Sequence, residues 1–399
     1  MRFAMWTYPW DVLDLGIDTV AADIRDRAGL NGINLATSYH AGRFLQPRSP
    51  RRKSYFPKDG TIYFQPDPGL WADCAIVPKV ADLVTEGGDV LRDLIRQRDK
   101  TGLSVACWTV CLHNTRLGLL HPEACVRNAF GDPYYYSLCP NHPDVRRYAV
   151  TLVRDLTHNY RPDIVQLESP GFMGYGHGYH HEKDGVGLTA EDDFLLSLCF
   201  CDACVQRATL AGVDAHAAQR TVRRWIEESL ARAVPTPRWP DFARRGIDLF
   251  RDHPEVEAYL RWRFEPVTSL VAEIRAAADP AVRIEIIDDG WRAGFDLNAL
   301  GKICNDVLFC AYDRTPAQVG ADVAAVRSML PPQCCLGAGM RLFYPEMTSA
   351  YDVVERTQAA ILAGATDLHY YNYGLVPAAR LDWVRAAVEA VKAERADAL

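Results

Sequence analysis

The chain has 399 residues, 49% of them hydrophobic and 24% charged, with a formal net charge of -7. These proportions belong to a folded globular protein and leave no room for a long disordered tract. The acidic balance excludes nucleic acid and anionic membrane surfaces as expected partners, because both select basic patches. The basic cluster PRSPRRK at 47–53 is short and reads as a solvated or subunit-facing loop.

The opening MRFAMWTYPWDV lacks the apolar core and small-residue cleavage site of a secretory leader, and no window reaches eighteen apolar residues. A cytoplasmic location is the expectation. In that reducing compartment most of the 12 cysteines stay free thiols, so their local spacing matters more than their even count.

Short runs rich in β-branched and aromatic residues alternate with longer amphipathic segments. In chain order the runs are RFAMWTY (2–8), GINLATS (32–38), LSVACWTVCL (103–112), IVQLE (164–168), RIEIID (283–288), VLFCAY (307–312), CCLGAGMRL (334–342) and LHYYNY (368–373). Helical segments separate them, such as DVLRDLIRQRDKTG ending at Gly102, and SAYDVVERTQAAILAGA running from a Ser cap to near Gly364. Eight β/α units predict an α/β fold, a (β/α)8 TIM barrel forming a single domain over 1–399. The excess length falls in a loop insertion at 43–85, rich in Pro, Tyr and Phe, and in a Cys-rich, helical insertion at 169–280. The latter holds RTVRRWIEESLARAV and EVEAYLRWRFEPVTSLVAEIRAAA. An open doubly wound sheet is disfavoured, since neither G-x-G-x-x-G nor G-x-x-x-x-G-K-[ST] is present.

In a barrel, the C-terminal ends of the strands converge on one mouth. Those positions offer Trp6, His40, Trp108 with His113 and Asn114, Glu168, Asp288 with Asp289, Asp313 with Arg314, Arg341, and Tyr371 with Asn372. Aromatic faces stack on the C–H faces of sugar rings and polar groups take the hydroxyls, so a small carbohydrate or glycoside is the expected ligand. Glu168 ends an apolar run and meets SPG, a setting that raises a carboxyl toward neutral pH and suits it to protonate a leaving oxygen. The alternative is a glutamate that caps its loop or pairs with an arginine.

Glycoside cleavage needs a second carboxylate. Asp288 is the first choice, with Asp289, Asp313 in YDRT and Glu346 in LFYPE as the others. Adjacent strand residues point oppositely, so only one of Asp288 and Asp289 faces the axis. The loop GFMGYGHGYHHEKDG brings His177, His180 and His181 between glycines and reads as a substrate-covering loop rather than a metal site. Cys107, Cys111, Cys304, Cys310, Cys334 and Cys335 lie on or beside strands and read as small core residues. SLCFCDAC is different, gathering Cys199, Cys201 and Cys204 within six positions. Three thiols cannot all pair, so they either belong to a metal site needing a fourth ligand or are clustered core residues.

Two segments together, YYYSLCPNHPDVRRYAVTLVRDLTHNYRPDIVQLESPG and CFCDAC, resemble the region around the acid/base glutamate of glycoside hydrolase family 42 β-galactosidases and related TIM-barrel glycosidases. The resemblance implies Glu168 as general acid/base. It also implies Cys139, Cys199, Cys201 and Cys204 as ligands of a structural zinc, a closed tetrathiolate with no open position for substrate. Two residues depart from the family, Leu167 where Asn precedes the glutamate and Arg341 where a nucleophilic Glu ends the seventh strand, and the family's trimerisation and β-rich domains are not expected after the eighth strand. The expectation is therefore a glycosidase-like hydrolase of unspecified sugar. A sugar isomerase, epimerase or lyase, or a non-catalytic carbohydrate-binding barrel, is the alternative, and a homo-oligomer is left open.

Overall fold

A computed structural model of the chain describes residues 1–177 and 181–397, with side chains described as far as residue 394. Eight parallel strands alternate with helices: β1 Phe3–Thr7, β2 Gly32–Tyr39, β3 Ser104–Val110, β4 Ile164–Glu168, β5 Arg283–Ile287, β6 Asp306–Cys310, β7 Cys335–Arg341 and β8 Asp367–Tyr371. Each pairs with the next, and β1 pairs with both β8 (Met5 beside Tyr370) and β2 (Met5 beside Ile33), which closes the barrel. The eight expected strands are all present, with ends shifted by no more than about two residues, as fraying termini allow. No helix among the described residues is long and apolar enough to cross a membrane.

Strand parity sorts the side chains. Met5, Ile33, Leu35, Val105, Cys107, Val165, Leu167, Ile284, Ile286, Val307, Ala338, Met340 and Leu368 face outward into the shell beneath the helices. The opposite phase fills the barrel. Low in it lies a buried polar layer, in which Asn34 Oδ1 accepts from Arg2 at 2.5 Å and Asn34 Nδ2 meets His369 Nδ1 at 2.9 Å. Gln166 donates to Glu285, whose other oxygen lies 3.6 Å from His369 Nε2. Burial, and then the nearby Asp306 charge, push Glu285 up to about 7. Above this layer sits a second apolar cluster built from Trp6, Tyr8, Trp10, Tyr39, Phe44, Tyr63, Trp108, Ile287 and Leu308. Gly339 makes the room: a Cβ there would stand 2.9 Å from the Trp6 ring and 3.3 Å from Cys310 Sγ.

The insertions differ in three respects from the sequence reading. The 43–85 segment is more than loop. It carries a short ladder between Phe44–Leu45 and Ser54–Tyr55, and two short strands, Thr61–Ile62 and Lys79–Val80, that extend the sheet from β2. The basic cluster is partly taken up within the chain: Arg48 pairs with Asp23, Arg52 bonds buried Asp14 at 2.6 Å, and Lys53 Nζ donates to two backbone carbonyls, while Arg51 and the rest of Lys53 stay exposed. It thus clamps the insertion onto the first β/α unit by charge pairing within the chain. The stretch 255–278 is two helices, Pro254–Trp262 and Phe264–Ala277, broken at Arg263. Pro266 provides the reason, since it cannot donate back into a continuous helix but is at home in a first turn.

Candidate active site and cysteine cluster

Glu168 ends β4 with its carboxylate accepting from Trp108 Nε1, one strand away on β3. It is half-buried against the aromatic cluster, and burial pushes its carboxyl up to about 7 while the indole donor acts in the opposite sense. Aromatic rings wall it in. Trp108 meets Trp6 at 6.3 Å and Tyr371 at 5.9 Å, both edge to face. The Tyr8 hydroxyl lies 2.6 Å from that of Tyr371 and 3.0 Å from that of Tyr39.

Parity separates the two carboxylates that follow β5. Glu285 and Ile287 of β5 face the barrel interior, so Asp289 continues the inward phase and Asp288 does not. Asp288 instead accepts from Gly290 N at 2.7 Å and closes a turn. Solvent reaches Asp289 through the mouth, yet the protein packed around it, and then the charge of Glu168, push it up to about 8, with the Ser169 amide and hydroxyl acting the other way. Glu168 and Asp289 are therefore two carboxyls sharing one walled mouth, each raised toward neutral pH. Beside them opens a cavity of about 240 Å³ bounded by Asp289, Ser169, Phe172, His177, Asp193 and Arg292.

The remaining expected residues fall into three groups. Trp6 and Trp108 are buried in the aromatic cluster, at 1% and 3% exposure, and half-buried Tyr371 packs edge to face on both. His40 and His113 stack at 4.2 Å on the β2–β3 side of the mouth, with His177 edge-on to His113 at 4.6 Å. Burial, followed by the neighbouring imidazoles, holds His113 far below the ordinary range, so it acts as a neutral ring. His180 lies outside the described residues. Asn114 is taken up by backbone: its Oδ1 caps the helix Thr115–Leu120 through Leu117 N at 2.9 Å, and its Nδ2 reaches Gly60 O at 3.4 Å. Asp313 and Glu346 are both neutralised by Arg341, which lies 3.1 Å from Glu346, and Asp313 N also donates to Glu346 at 2.9 Å. Arg314 pairs with Asp322 at the surface, and Asn372 turns its Oδ1 onto Gly374 N.

Tyr8 and Tyr39 were not anticipated. Tyr8 lies in phase with Trp6 just past β1, a legible signal. Tyr39 owes its inward position to the register shift in β2 between Ala36 and Ser38, which no alternation pattern announces.

Cys139, Cys199, Cys201 and Cys204 are all buried, and their sulfurs lie within 4.8 Å of one another. Cys139 Sγ is 3.4, 3.5 and 3.9 Å from those of Cys204, Cys201 and Cys199. A tetrahedron with metal–sulfur bonds of about 2.3 Å has edges of about 3.8 Å, so the four thiols fit one metal ion. Cys139 follows the hairpin strand Pro133–Leu138, while Cys201 and Cys204 flank the start of the helix Asp202–Leu210. Arg127 N donates to Cys199 Sγ at 3.4 Å and Asn141 Nδ2 to Cys204 Sγ at 3.1 Å, donors of the kind that support thiolate ligands.

No protein-family model matches the chain, and neither does any curated protein sequence. Solved structures do. A β-galactosidase from the haloarchaeon Halorubrum lacusprofundi superposes with a TM-score of 0.58 at 14% identity, over 98% of this chain and 58% of its own. An α-L-fucosidase isoenzyme 2 from Paenibacillus thiaminolyticus gives 0.56 at 13%, over 99% and 50%. The catalytic domain of a β-amylase from Paenibacillus polymyxa gives 0.55 at 11%, over 98% of both chains. The likeness is one of fold. The chain spans about half the length of the fucosidase and under two thirds of that β-galactosidase.

Proposed function

We propose that the protein is a carboxylate-pair glycoside hydrolase. The observation that carries this reading is the placement of Glu168 and Asp289 at the ends of adjacent strands, in a mouth walled by indole and phenol rings, with both carboxyls raised toward neutral pH. The two titrate as a coupled pair; in the form that carries one proton, Glu168 holds it for the glycosidic oxygen and the ionised Asp289, rather than Asp288, acts on the anomeric side as nucleophile or base. Half-buried Tyr371, backed by the buried Trp6 and Trp108, offers its ring to the sugar, with His40 and His113 at its edge. The glycosidases among the structural neighbours support the class. The family 42 likeness rests on the sequence segments around Glu168 and the four cysteines.

The isomerase alternative calls for oxygen and imidazole ligands converging at the mouth. Among the described residues the four cysteines alone converge in that way, and they do so in the insertion. We assign them a structural zinc that pins hairpin and insertion beside the mouth. The 12 unpaired cysteines support a reducing, cytoplasmic setting.

The test is hydrolysis of a panel of nitrophenyl glycosides. The native protein should turn over at least one sugar, and Glu168→Gln and Asp289→Asn should each reduce kcat by about a hundredfold or more, whereas Asp288→Asn should stay within about threefold of native. Turnover that survives both Glu168→Gln and Asp289→Asn, or binding of a sugar by the native chain without turnover, would defeat the proposal.

A further inference from the structure

The loop after Asp289 turns through the short helix Trp291–Ala293 and puts half-buried Arg292 on the wall of the cavity beside that carboxyl. The turn is pinned from the interior. Arg263, 1% exposed, donates its Nη2 to Arg292 O at 3.1 Å and lays its Cζ 4.5 Å from the centre of the Phe172 ring, while Phe172 N donates to Ala293 O at 3.0 Å. The Arg292 side chain itself rests on aromatic rings, its Cζ lying 4.7 Å from the centre of Phe242 and 5.9 Å from that of Trp291. Phe194, which bounds the same cavity, packs on those two rings at 5.5 and 4.9 Å. Such stacking holds a guanidinium in place without using its N–H groups.

What Arg292 lacks is an anion. Arg341 is matched by Asp313 and Glu346, Arg52 by Asp14, and Arg146 by Glu273. Among the described residues the Arg292 guanidinium has no hydrogen bond and no ion pair, yet none of its nitrogens is shut away from solvent. Arg263 behind it has no carboxylate either, its one side-chain hydrogen bond going to a carbonyl. Of the two carboxylates on the cavity wall, Asp193 accepts from Gly176 N at 2.6 Å and Asp289 belongs to the catalytic pair. A wall with two guanidinium charges and no ion pair favours an anion, and the planar fork of Arg292 matches a carboxylate in shape and in hydrogen bonds. We propose that Arg292 is a specificity-determining residue that binds a carboxylate of the substrate, so that the substrate class is an acidic glycoside, with the acid on the sugar or on the aglycone. This inference rests on the hydrolase reading of Glu168 and Asp289 and names the substrate of that same site.

The experiment measures kcat/KM on pairs of glycosides that differ in one group. In one arm, 4-nitrophenyl glucuronides and galacturonides of both anomers are compared with the matching glucosides and galactosides. In the other, glycosides of 4-hydroxybenzoate are compared with those of 4-hydroxybenzamide. The native protein should favour the acidic member by about tenfold or more in one arm, and that arm tells whether the sugar or the aglycone carries the acid. Arg292→Met should cut the acidic-to-neutral ratio by about tenfold or more, chiefly through KM. A native protein without that preference in either arm, or a smaller fall in the ratio, overturns the proposal. If Arg292→Met does not fold, Arg292→Lys, which keeps the charge and loses the fork, should cut the ratio by about threefold or more, and an unchanged ratio overturns it. Binding is read apart from turnover by calorimetric titration of Glu168→Gln with glucuronate, galacturonate and 4-hydroxybenzoate against glucose, galactose and 4-hydroxybenzamide. If the native protein cleaves no glycoside, the hydrolase reading fails, while tighter binding of an acid that Arg292→Met abolishes still supports the carboxylate site. Equal binding of acidic and neutral ligands there overturns both.

Discussion

Glu168 and Asp289 carry opposite demands. A carboxyl held near 7 by burial is useful for proton transfer at neutral pH, but it opposes folding whenever it must ionise. The folded-state value lies above the unfolded one, so the folded chain binds more protons between about 4.5 and 7, and stability falls as pH rises through that window. Glu168→Gln should therefore raise the melting temperature at pH 8, by about 2 °C or more, and should do far less at pH 5. An equal gain at both pH values would mean that the mutation acts through packing and not through charge. For catalysis the sign is the same: the acid form of Glu168 is lost above about 7, so kcat/KM should fall on the alkaline side of neutrality, and with Asp289 raised as well the two limbs belong to the pair. The apolar run ending at Glu168 made that residue legible in the sequence. The choice between Asp288 and Asp289 was legible in principle, through the parity of Ile284 and Ile286, but it needed the strand's outward face to be recognised first.

At the scale of elements, the barrel strands announced themselves because both of their faces are filled, one by the helical shell and one by the mouth cluster or the polar layer. What stayed hidden depends on contacts between distant segments. The polar layer joins Arg2, Asn34, Gln166, Glu285 and His369, each unremarkable within its own strand. Asn114 looked like a sugar ligand by position and proves to be a helix cap, so Asn114→Ala should lower stability by ~1 kcal/mol. A larger loss, or a change in KM with stability intact, would point back to ligand binding. Gly339→Ala should disturb the mouth directly, because its methyl group would press on the Trp6 ring, and a destabilisation of ~1–3 kcal/mol with quenched or shifted tryptophan fluorescence is expected. Unchanged fluorescence in a folded variant would contradict the packing described.

On the scale of the whole molecule, the closed barrel is the fixed frame, and the 169–280 insertion supplies one side of the cavity beside Asp289 through Asp193 and Phe194. With the proposed zinc bound, the cysteine cluster ties that insertion to the hairpin strand Pro133–Leu138, so removing the zinc should loosen the insertion while leaving the barrel strands protected. Amide exchange should show increased exchange at 190–262 and little change in β1, β2 and β8. Uniform deprotection would mean that the centre supports the barrel as a whole. The local half of this organisation was readable from SLCFCDAC, whereas the fourth ligand came from resemblance, since nothing local to Cys139 marks it. The central claim, that Glu168 donates the proton to the leaving oxygen, is tested most directly by leaving-group dependence in Glu168→Ala. With a glycoside of an acidic phenol, which needs no protonation to depart, the variant should retain much of the native rate of bond cleavage, and with a poor, basic leaving group it should lose about a hundredfold or more. Equal losses for both leaving groups would contradict the account.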